Sequence, residues 1–119
     1  MPRTAKLLFD SAARASMPGM RAMTGDERSL LFKVDDFALD LVVFESAGLK
    51  VVHGQLVSTA SDQGIAEAKV QLGEDGDVVE TDHFGQFSLS TMAPLDGEVL
   101  CAFTDDVEIA CTVPVRGAA

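Results

Sequence analysis

The chain has 119 residues, a formal net charge of −10 and a 47% hydrophobic composition with seven Phe but no Trp or Tyr. That length suits one domain with a modest two-layer core; the apolar share excludes a chain disordered throughout, and no apolar run approaches a membrane span. The charge is uneven: residues 1–28 hold five basic and three acidic side chains (+2), leaving four basic and sixteen acidic over 29–119 (−12), a body that repels phosphate backbones and disfavours nucleic acid as a partner.

Residues 1–28 read as a basic N-terminal arm. Its apolar positions are Leu7, Leu8, Phe9, three alanines, Met17, Met20 and Met23, with Arg3, Lys6, Asp10, Arg14 and Arg21 among them. The first half fits a short amphipathic helix, with Asp10 and Ser11 as competing breaks, or an extended stretch. Met17-Pro18-Gly19-Met20 then interrupts any helix, because proline lacks the donor and glycine costs backbone entropy. So short a piece is marginal in water by itself and needs a surface to dock on. The predicted partner-binding residues are Leu7, Leu8, Phe9, Met17, Met20 and Met23 as anchors, with Arg14 and Arg21 setting orientation and on-rate. The composition also has the look of an organelle-targeting peptide. Leu7-Leu8-Phe9 is far shorter than the core of a secretory signal, so the expected location is the cytoplasm, where thiols stay reduced.

From Ser29 the period changes to two. Ser29–Val34 reads as a strand with Asp35-Asp36 as its turn. Phe37–Ser46 alternates, with Phe37, Leu39, Leu41 and Val43 on one face, and Ala47-Gly48 reverses the chain into Leu49–Ser58. A polar loop follows, with Gly64 expected at positive φ. Ile65–Leu72 places Ala66, Ala68, Val70 and Leu72 on one face, and Asp75-Gly76 favours a tight turn into Val78–Asp82. A break at His83-Phe84-Gly85 leads to Gln86–Ser90, and Glu98–Phe103 pairs with Val107–Val113. The predicted fold is all-β: a Greek-key β-sandwich of seven to eight short strands over 29–114, with a partly helical or extended N-terminal arm at 1–28 and a frayed tail at 115–119.

Three stretches carry a resemblance: Gly54-Gln55-Leu56-Val57, then Gly64-Ile65-Ala66-x-Ala68-x-Val70-x-Leu72, then Thr81-Asp82-x-x-Gly85-x-Phe87. Together they resemble the carboxypeptidase regulatory-like domain, a prealbumin-like (transthyretin-like) sandwich, over about residues 51–113, in the manner of small stand-alone bacterial proteins. Ile65 stands where the family usually has proline. The resemblance implies an accessory or assembly module without a defined activity. For its key positions the physics is structural: Gly85 at a sharp turn of positive φ, Phe87 pointing into the core, and Asp82 bonding the backbone of the turn.

The residues offer little toward catalysis. The transthyretin-like hydroxyisourate hydrolases have a catalytic His in their opening strand, where Gln55 stands here, and an amide is no general base. Their Tyr-Arg-Gly-Ser ending meets only Val115-Arg116-Gly117. His53 and His83 lack metal-ligand spacing. Cys101 and Cys111 fall on the two arms of one hairpin and read as small core residues. The acidic turns lack a calcium-loop pattern.

No cofactor, metal or catalytic residue is therefore expected. The leading expectation is a non-enzymatic protein-interaction module, an acidic sandwich whose arm docks on a protein partner. The alternatives are a structural self-assembling subunit, in which arm or strand exchange gives oligomers or filaments, and a small-ligand or carbohydrate-binding accessory domain, for which the lack of Trp and Tyr is a handicap.

Overall fold

The computed structural model describes residues 3–11, 27–73, 76–92, 95, 97–104 and 107–114. They form an all-β sandwich of two packed sheets, with eleven strands and no helix among the described residues. The strands are β1 (Arg3–Thr4), β2 (Lys6–Asp10), β3 (Arg28–Val34), β4 (Phe37–Ser46), β5 (Leu49–Ser58), β6 (Gln63–Gly64), β7 (Lys69–Leu72), β8 (Val78–Glu80), β9 (Gln86–Thr91), β10 (Val99–Phe103) and β11 (Glu108–Thr112).

One sheet runs β1-β11-β10-β7-β8. The other runs β2-β3-β4-β5, and the far side of β5 is shared by β6 and β9. After β8 the chain leaves the first sheet for β9 in the second, then returns as β10 beside β7. That return is the Greek-key step.

The central hairpin sets the frame. β4 and β5 pair over their whole length around Ala47 and Gly48, both at positive φ (53° and 83°), a conformation that matches the twist of the flanking strands. Their inward rows, Leu39, Leu41 and Val43 with Val52 and Leu56, are buried. With Leu30 and Phe32 of β3 they pack on Val70, Leu100, Ala102, Ile109 and Cys111 from the other sheet. Burying such side chains contributes about 1.5–3 kcal/mol each and is the main term holding the layers together.

Three sequence expectations change. Of the helical and extended alternatives for the first half of the arm, the extended one holds: Arg3–Thr4 pairs in parallel with β11 and Lys6–Asp10 pairs antiparallel with β3. Residues 3–10 therefore belong to the sandwich, whose expected boundary lay at 29. Ile65–Leu72 is a strand only from Lys69; Ala66 is exposed and Glu67 sits at φ 61° in a turn. That turn is held by Thr81, whose Oγ1 accepts from Ala68 N at 2.9 Å and donates to Ile65 O at 2.6 Å. The positive φ expected at Gly64 falls on Asp62 (57°) instead. Gly64 is required by space, since a Cβ there would stand 1.9 Å from Phe84 O.

Candidate functional site

A two-layer sandwich has two seams where the sheets meet, and each must be closed or left open. At the first seam the N-terminal segment straps the sheets together. β1 joins one sheet and β2 the other, with the buried Ala5 between them and Ala5 N donating to Ala110 O at 2.8 Å. Leu7 packs against the core. The register shifts between Leu7 and Phe9, a bulge that blunts the outer edge of β2.

An ion pair secures the end of this strap. Arg28, almost fully buried at the start of β3, donates from Nε to Asp10 Oδ1 at 3.0 Å and from Nη2 to Asp10 Oδ2 at 2.8 Å. The same Nη2 reaches Pro114 O at 2.9 Å. One guanidinium thus ties β2, β3 and the chain beyond β11, in the two-pronged geometry that arginine and carboxylate favour. Ser29 N donates to Ser11 Oγ at 2.8 Å beside it. At the opposite end of the strap Arg3 pairs with Asp35, an exposed contact.

Among the described residues no such strap crosses the second seam, between β8 and β9. The two strands are joined at one end by the tight corner 81–85, where Gly85 sits at φ 77° and Asp82 Oδ1 accepts from Phe84 N and Gln86 N, each at 2.9 Å. Beyond the corner β8 pairs with β7 and β9 with β5, not with each other. A cleft of about 420 Å³ opens there, lined among the described residues by Leu72, Gly76, Asp77, Val79, Ser88, Leu89, Ser90 and Thr91. Leu72, Val79 and Leu89 are only partly buried, so this margin of the core is reached from outside. Val78 and Met92 are exposed hydrophobics on the flanking segments. The volume falls within the range of about 300–1,000 Å³ usual for binding clefts.

Of the predicted partner-binding residues, Leu7 faces the core, Phe9 is half-buried, and Leu8 at the bulge is 50% exposed. Arg14, Met17, Met20, Arg21 and Met23 lie outside the described residues. Gly85 and Phe87 take the predicted places, and Phe87 is buried against Gly54.

His53 and His83 are placed apart. His53 projects from the outer face of β5 and stacks on Phe44, ring centroids 5.3 Å apart, whereas His83 lies in the corner before β9. Gln55 donates to Phe84 O at 3.0 Å, a structural bond. Among the described residues no three His, Cys, Asp or Glu side chains gather where a metal could bind.

Cys101 pairs with Ala110 and Cys111 with Leu100. Adjacent rungs send side chains to opposite faces, so Cys111 lies in the core and Cys101 on the outer surface, and both are free thiols. Burial pushes the Cys111 thiol up to about 12, with Cys101 adding to it. Cys101 is also raised, by burial first and then by Glu108. Neither has the depressed value of a nucleophile.

No helix of the described residues is long and apolar enough to cross a membrane. Comparison with protein-family models, curated proteins and solved structures finds no match to this chain.

Proposed function

We propose that this chain is a non-enzymatic protein-interaction module, an acidic β-sandwich that takes up partner segments on its surface. The observation that supports this reading is the unequal treatment of the two seams. One is strapped by residues 3–10 and pinned by Arg28, while at the other no described residue covers the margin of the core between two strand edges. Solvent-reachable apolar surface beside unpaired backbone is what a partner strand needs. The resemblance read from the sequence of residues 51–113 to carboxypeptidase regulatory-like domains is part of this proposal and would imply the same accessory role. Within the arm, Leu8 remains available at the surface, and Arg14, Met17, Met20, Arg21 and Met23 are the proposed docking positions.

The test is purification of tagged full-length protein from its native cells, beside a variant with those five arm residues replaced by serine and residues 1–10 intact. Stoichiometric co-elution of one distinct protein, lost in the variant, is the expected result. Recovery of nothing else contradicts the reading. Recovery of untagged copies alone favours self-assembly through the basic arm, whose charge is opposite to that of the body.

A further inference from the structure

Among the described residues, the β9 edge at this seam presents backbone groups that no strand pairs, at known positions. Leu56 N donates to Gly85 O at 2.8 Å, one register step beyond the Gln55–Gln86 pair. Alternation along an antiparallel ladder then turns the backbone groups of Phe87 and Leu89 toward β5, and those of Gln86, Ser88 and Ser90 away from it. The first outward rung is already filled by Asp82: its N–H donates to Gln86 O at 3.0 Å, and its Oδ1 accepts from Gln86 N at 2.9 Å. Ser88 and Ser90 are the next two rungs. No strand among the described residues pairs with that edge, and both serines line the cleft.

The contrast with the other edges is physical. β2 has a bulge and β1 is two residues long, both devices that discourage a further strand. β9 reads Gln-Phe-Ser-Leu-Ser-Thr, with no lysine, no proline and an unbroken register against β5. Among the described residues it is an edge without the usual protection, beside a mostly polar cleft in which Leu72, Val79 and Leu89 are the apolar contacts.

We propose that β9 takes up an extended, basic peptide segment of another protein as an added strand, its ladder running through Ser88 and Ser90. The proposal rests on the reading of the chain as an interaction module and names the surface and the class of partner. The six residues of β9 match a segment about 20 Å long. Alternate side chains of that segment would meet Leu72, Val79 and Leu89, so small or branched apolar residues two apart are favoured. Its charge follows from the surroundings. Asp77 is the charged side chain among the described cleft residues, Glu80 stands exposed on β8 opposite Lys69 of β7, and residues 29–119 sum to −12. Lysine or arginine between the apolar positions is therefore steered in, and an acidic segment is repelled. A second copy of this acidic body meets the same repulsion, which disfavours edge-to-edge self-pairing.

The test is selection from a display library of random ten-residue peptides against the full-length protein, repeated on two variants. Ser88→Pro/Ser90→Pro removes both outward donors without touching the β5 ladder, and Asp77→Lys/Glu80→Lys reverses the local charge. The expected result is enrichment of basic peptides with alternating apolar residues, whose binding weakens at least tenfold on each variant while the melting temperature holds. Enriched peptides that are acidic, or that bind both variants unchanged, overturn the β9 assignment and leave the interaction-module reading standing. Absence of any enrichment overturns the assignment too, and the co-purification experiment above then decides the broader reading separately.

Discussion

Gly54 and Phe87 face each other across the β5–β9 pair, and the smallness of one makes room for the other. A Cβ on Gly54 would lie 2.2 Å from Phe87 Cζ and 2.9 Å from Leu41 Cδ2, so no side chain fits while the ring is in place. Phe87→Ala is expected to cost about 3–5 kcal/mol, as a large buried side chain lost from a core. Gly54→Ala is expected to cost about 1–3 kcal/mol by overpacking. In the double variant the added methyl enters the vacated space, so denaturant titration should give a sum well below additive. Strict additivity would mean that the two do not share one volume. The Arg28–Asp10 pair makes a second residue-level prediction. Asp10→Ala removes a two-pronged carboxylate partner from a buried guanidinium and should cost about 3–5 kcal/mol, whereas Asp10→Leu/Arg28→Met, which removes both charges, should recover much of that loss. Equal destabilisation by the two variants would show that the charges are not what the site depends on.

At the scale of elements, β4 and β5 were legible because their inward faces alternate without a break, and the Ala47-Gly48 turn between them is a strong local signal. β2 was not, for a specific reason. Its bulge places Leu7 and Leu8 opposite the same stretch of β3, so the sequence shows three apolar residues in a row instead of a period of two. A run of that kind reads equally well as one turn of an amphipathic helix, and only long-range pairing with β3 and β11 decides between them. The start of β7 failed differently: Ala66 keeps the alternation on paper, while Thr81, from a distant part of the chain, holds Ile65–Ala68 in a turn. β9 supplies the prediction at this scale. Because Ser88 and Ser90 direct their N–H groups away from β5, Ser88→Pro and Ser90→Pro should each shift stability by less than about 1 kcal/mol. Leu89→Pro, which removes a β5 ladder bond and a core side chain, should cost about 3 kcal/mol or more. Thermal melts of the three variants check the direction of every amide along β9.

For the molecule as a whole, the acidic body and the basic start of the chain are plain in the composition, and so is the corner at Asp82 and Gly85, whose chemistry is local. The open seam could not be read that way. Which strands become edges depends on the order β1-β11-β10-β7-β8 against β2-β3-β4-β5-β9, which is set by contacts far apart in sequence. Nor does a residue such as Ser88 advertise its place, since its importance lies in a backbone N–H that any residue but proline possesses. The described residues form a sandwich strapped by residues 3–10 on one side, and the proposal places a partner strand on the other. Amide hydrogen exchange of the full-length protein, followed residue by residue, tests this most directly. Slow exchange is expected at Ala5, Phe87 and Leu89, and rapid exchange at Ser88 and Ser90, with the two serines becoming protected when a selected basic peptide is added. Ser88 and Ser90 as slow as Leu89 in the free protein would contradict it, because the edge would then already be filled.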